Sequence, residues 1–138
     1  MSTKSNMSNM PNPPMPSPWF DDFERRDFAL PQASLHARVP RGAPDGRPAL
    51  LLLHGVPQTH AMWQRVAARL AQDFYLVMPD LRGYGDSSKP AGLPDHSNYS
   101  KRALAQDMAD LMDALRVARF AVCGHDRCAT RAGFAACA

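Results

Sequence analysis

The chain has 138 residues, 45% of them apolar and 21% charged, with 16 Lys and Arg against 13 Asp and Glu for a net charge of +3. That is the length and composition of one globular domain; it excludes an intrinsically disordered chain, and because the positive charges form no block it argues against a nucleic-acid binder. Three cysteines (Cys123, Cys128, Cys137) without a CxxC pair favour reduced thiols in a cytoplasmic protein, and no membrane partner is expected.

Residues 1–18, MSTKSNMSNMPNPPMPSP, are dense in Pro, Ser and Asn and lack the apolar run of a signal peptide, which predicts a disordered tail ahead of a domain over 19–138. FERRDFAL and SLHARVP then read as two short strands separated by PQA, and RGAPDGRP as a Gly/Pro-rich turn. ALLLLHG is short, continuously apolar and closed by Gly, the pattern of a central strand buried on both faces. AMWQRVAARLAQ sets Trp63, Val66 and Leu70 on one face of an amphipathic helix. FYLVMPD is a further apolar strand, followed by the long polar loop LRGYGDSSKPAGLPDHSNYS. From Ser100, a residue suited to an N-cap, Leu104, Met108, Leu111, Met112 and Leu115 recur at helical spacing. FAVCGHD is a third apolar strand, in which Cys123 is expected as a buried thiol.

Strands alternating with helices at this spacing predict an α/β domain with right-handed crossovers, its sheet mostly parallel and its helices on the faces. In such sheets the chemistry gathers at the carboxyl ends of the strands. HGVP, PDLRGYG and GHDRC stand at such ends. Following a strand, GHDRC reads as a nucleophile elbow, a tight strand-to-helix turn that lifts one side chain, here Asp126, above the sheet. An oxyanion hole needs backbone N–H groups aimed at one point, and this arrangement offers Arg127 from the elbow and Val56 from the HGVP loop. RGYGDSS has Ser88 where a dinucleotide fingerprint has its third glycine, so no nucleotide cofactor is expected, and Tyr84 and Asp86 read as loop structure. His36, His60 and His96 show no metal-ligand spacing; they are expected as exposed loop residues, and no metal is expected.

In order along the chain, LLLHGVP, MPDLRGYGDSSKP and GHDR resemble the α/β-hydrolase superfamily, and within it the epoxide hydrolase and haloalkane dehalogenase branch. From Phe20 to Arg127 the chain is similar to the haloacetate (fluoroacetate) dehalogenases, through HGVPQTHAMW, RGYGDSSKP, PDHSNYS and RFAVCGHDR. The resemblance implies the amino-terminal half of an α/β-hydrolase fold, with the cap domain and carboxy-terminal half absent, no cofactor, and a homodimer as the full-length family form. It implies that Asp126 displaces halide from a small halogenated acid, and that a histidine-activated water hydrolyses the resulting ester. Its oxyanion would lie between the Val56 and Arg127 N–H groups.

Arg127 stands where epoxide hydrolases and haloalkane dehalogenases usually carry Trp, and its guanidinium would dock the substrate carboxylate. The second Arg of the haloacetate dehalogenases falls on Thr130 here, with Arg131 one step later as the other candidate for that carboxylate. Cys128 replaces a family Gly, which crowds the elbow. The general-base His and its acidic partner would fall beyond Ala138, so these 138 residues are expected not to turn the ester over. Two other readings remain: epoxide hydrolysis by the same Asp126, and a non-catalytic remnant.

Overall fold

Apolar side chains alternate between the two faces of each central strand, and that alternation sets the layers. The computed structural model describes residues 18–125. Within them β1 (Phe23–Ala29), β2 (Ser34–Pro40), β3 (Ala49–Leu53), β4 (Tyr75–Pro79) and β5 (Phe120–Gly124) form one sheet in the order β1-β2-β4-β3-β5. The β1/β2 and β2/β4 pairs are antiparallel, whereas β3 pairs parallel with both β4 and β5. The strands read from the sequence are all present, and the parallel part of the sheet is its β4-β3-β5 portion.

Helix α2 (Lys101–Ala114) covers one face. Its Met108, Leu111 and Met112, with Leu115 just past its end, share a core with Leu51 and Leu53 of β3, Tyr75 and Val77 of β4, and Leu35, Ala37 and Val39 of β2. Each Leu, Val and Met among them contributes about 1.5–3 kcal/mol by leaving water. Ser100 caps α2 as expected: its Oγ accepts from the Ala103 N–H at 3.2 Å.

The opposite face is covered by α1 (Gln64–Leu70) and the short 3-10 turns at Pro18–Phe20 and His60–Trp63, where Phe20, Phe23, Ala67, Leu52, Leu76 and Met78 are buried together. Here the helix differs from its sequence reading. Trp63 and Leu70 pack against this core, but Val66 is 41% exposed and Ala67 takes the buried place. At about 100° per residue, Val66 lies some 60° to one side of Trp63 and Ala67 some 40° to the other, and the sheet lies on Ala67's side.

Cys123 is also corrected: it is exposed. Leu52 is its register partner on β3, so Cys123 shares the α1 face of the sheet, and on β5 the side chains of Ala121 and Cys123 are exposed while Phe120 and Val122 pack toward the α2 core. Among the described residues no helix is long and apolar enough to cross a membrane.

Candidate functional site

β3 and β5 run side by side in register, Leu53 opposite Gly124, and the His125 N–H donates to the Leu53 carbonyl at 3.1 Å. The carboxyl ends of the two strands therefore lie next to each other, and the HGVP loop leaves the sheet there. Val56, on that loop, is 44% exposed at this end of the sheet. Asp126, Arg127, Cys128, Thr130 and Arg131 lie outside the described residues, as do residues 1–17 of the expected tail.

The loop that carries Val56 is anchored by His54, which is fully buried. The Leu81 N–H donates to His54 Nε2 at 2.9 Å, so the ring proton sits on Nδ1, which faces the Gly55 carbonyl at 2.9 Å. Burial pushes the imidazole pKa down, which keeps the ring neutral and suits this pair of bonds. The loop is closed by Gln58, whose N–H donates to the Gly55 carbonyl at 2.8 Å and whose Oε1 accepts from the Gly55 N–H at 3.3 Å.

A second anchor is Asp80, directly after β4 and wholly buried. Its Oδ1 accepts from the backbone N–H and from Nδ1 of His60, both at 2.8 Å, and its Oδ2 accepts from the Asp86 N–H at 3.0 Å. Burial alone would raise this carboxyl's pKa; the hydrogen bonds from His60 and Asp86 outweigh it and hold the pKa to about 2. The group is thus a carboxylate that ties the far end of the HGVPQTH segment to the loop after β4. Gly85 permits this. It has φ +51, and a Cβ there would stand 2.2 Å from Asp80 Oδ2.

The polar stretch after β4 is not the solvated loop its composition suggests, since Leu81, Arg82 and Ser87 are buried. Arg82 forms a two-pronged pair with Asp107 of α2, Nε to Oδ2 at 2.9 Å and Nη2 to Oδ1 at 2.6 Å, and also donates to the Asn98 carbonyl at 2.7 Å. Ser87 Oγ donates to the Asp80 carbonyl at 2.6 Å and accepts from the His36 N–H at 2.9 Å. Tyr84 and Asp86 take part in this loop structure, Tyr84 with its ring edge-on to His54 and Asp86 bonded to Arg25 at 3.3 Å.

Two histidine expectations need correcting. His36 lies on β2 and is 3% exposed, and the His60 side chain is 11% exposed against Asp80; His96 is exposed as expected. The pairing of His60 with Asp80 and of His54 with Leu81 left no trace in the sequence because these partners lie 20 and 27 positions apart.

The family description "alpha/beta hydrolase fold" matches residues 48–132. The chain is 50% identical over 108 residues to a fluoroacetate dehalogenase of Burkholderia sp, covering 78% of this chain and 34% of that protein. It is 40% identical over 111 residues to an epoxide hydrolase of Caballeronia sordidicola, covering 80% and 32%. Among solved structures, a Nostoc sp PCC 7120 protein classed with the alpha/beta hydrolases superposes with a TM-score of 0.72 at 49% identity, covering 78% of this chain and 36% of that one. The chain thus spans about a third of the length of the relatives it matches. With this sheet order, these strand-end loops and a family match over more than half its residues, the chain belongs to the α/β-hydrolase fold family.

Proposed function

We propose that the chain is part of a hydrolase of the haloacetate dehalogenase type in which Asp126 is the nucleophile. The carboxylate of Asp126 attacks the carbon bearing the halogen in line, a C–O bond forms as the C–halogen bond breaks, and halide leaves with the bonding pair. Water then adds to the carbonyl of the ester, the oxyanion is stabilised by the N–H groups of Val56 and Arg127, and collapse releases the hydroxy acid. Arg127 pairs with the substrate carboxylate, and Arg131 is the second candidate for that contact.

The observation that carries this reading is the in-register pairing of Leu53 with Gly124: it brings the HGVP loop beside the strand end that leads, one residue after His125, to Asp126. The 50% identity to a fluoroacetate dehalogenase supports the haloacid as substrate. Both ring nitrogens of His54 are engaged, and Nδ1 of His60 is held by Asp80, so neither is poised as the base for the ester. On this reading neither of these two histidines turns the ester over.

The test is incubation of the chain with fluoroacetate, which is unreactive toward free thiols, followed by peptide mass spectrometry. A carboxymethyl ester on Asp126, lost in Asp126→Asn, is the expected result; an unmodified Asp126 refutes the reading. Identity of 40% to an epoxide hydrolase favours a second reading, attack by Asp126 on an epoxide carbon. Hydroxyalkyl ester formation from an epoxide, without reaction with fluoroacetate, would select it.

A further inference from the structure

His36 is held on β2 by chemistry that the proposed reaction does not use. Its Nδ1 is 2.8 Å from Asp27 Oδ1, on the residue paired with it across the β1/β2 register. An ionised carboxylate only accepts, so Nδ1 carries a proton, and in that tautomer Nε2 is the ring atom with the lone pair to offer. That atom is buried without a hydrogen-bond partner, in a side chain only 4% exposed. The His60 ring lies beside it, with centroids 5.5 Å apart, and one donor atom from each of His36, His60 and Asp80 lies within 4.8 Å of the other two.

Two imidazoles and a carboxylate, with one imidazole oriented from behind by a second carboxylate, form the donor set and outer shell by which proteins hold divalent transition ions, water completing the sphere. We propose that His36, His60 and Asp80 form a binding site for a divalent first-row transition cation of the Zn2+ class, which clamps β2, the loop between β3 and α1, and the end of β4. His60 Nδ1 and Asp80 Oδ1 stand 2.8 Å apart and the three donors lie within 4.8 Å of one another, so a cation with Zn–N and Zn–O bonds of roughly 2.1 Å needs that pair to open slightly while the His36 ring moves toward it. The hydrogen between His60 Nδ1 and Asp80 gives way to the cation, and that proton moves to Nε2 of the same ring. Asp27 and Asp86, whose Oδ2 is 3.9 Å from His36 Nε2, add negative charge that favours a dication, while Arg25 offsets part of it through its contact with Asp86.

This site is separate from the proposed catalytic end, since β3 stands between β4 and β5 in the sheet. It meets that end through the HGVPQTH segment, which it would stiffen.

The test is Zn2+ titration of the full 138-residue chain, without an affinity tag and with Cys123, Cys128 and Cys137 changed to Ser, by calorimetry and thermal melting at neutral pH. One equivalent of Zn2+ and a raised melting temperature are expected. Uptake should be lost in His36→Ala and in His60→Ala and kept in His96→Ala. Because His60→Ala also removes a bond to Asp80, imidazole 15N NMR of the unsubstituted histidines provides a second reading: Zn2+ should shift Nε2 of His36 and one nitrogen of His60. Absence of uptake, uptake unchanged in both His variants, or a His36 ring protonated on both nitrogens before Zn2+ is added would each overturn the proposal.

Discussion

Replacing Asp107 by Ala should cost far more than its place on a surface helix suggests. The Asp107 carboxylate accepts from Arg82 Nε at 2.9 Å and Nη2 at 2.6 Å, and the two side chains are 0% and 3% exposed. Without it, the buried guanidinium keeps only the Asn98 carbonyl at 2.7 Å and Gln32 Oε1 at 3.2 Å. Stranding one member of a buried pair costs about 3–5 kcal/mol, and the better helix propensity of Ala returns about 0.5 kcal/mol, so a net loss of roughly 2.5–4.5 kcal/mol is expected. Urea unfolding followed by far-ultraviolet circular dichroism at constant m reads this directly. The double variant Arg82→Met, Asp107→Leu removes both charges and should recover about half of the loss, the shortfall being about 1 kcal/mol for each of the two bonds Arg82 makes to Asn98 and Gln32. A loss below about 1 kcal/mol for Asp107→Ala, the range of an exposed ion pair, would refute the reasoning. So would a double variant no more stable than the single one.

Gly85→Ala should destabilise by more than the roughly 1–2 kcal/mol of left-handed strain, because its Cβ meets Asp80 Oδ2 at 2.2 Å. Gly42→Ala, at φ +83 with open space around it, should show the strain alone, and equal thermal shifts for the two would count against the contact. Ser100→Ala should cost about 1 kcal/mol through loss of the N-cap bond to Ala103, read as a lowered urea midpoint. The burial-lowered pKa of His54 makes stability depend on acidity. Above pH 6.5, the ordinary histidine value, the ring is neutral in both states and its full contribution is present. As pH falls below that value the unfolded chain takes up a proton that the folded chain refuses, so stability should drop by up to about 1.4 kcal/mol per pH unit until the folded ring titrates. A His54→Gln variant that keeps the same slope would remove His54 as its source.

What the sequence determined by itself was everything set by local period and local chemistry. Continuous apolar runs marked β3, β4 and β5, the stripe from Leu104 to Leu115 marked α2, and Ser100 marked its start, because each signal is carried by neighbours a few positions apart. The ordered strand-end motifs also made the fold family legible. What only the tertiary structure decided was which polar and small residues are drawn inside. Ala67 displaces Val66 because the sheet lies on one side of α1, and Cys123 shares a sheet face with Ala121 that is exposed among the described residues. Arg82 and Asp107, His60 and Asp80, and His54 and Leu81 look like loop or surface residues in one dimension. Burying such groups costs too much unless each finds its partner, and those partners are distant in sequence and adjacent only once the strands have chosen their order.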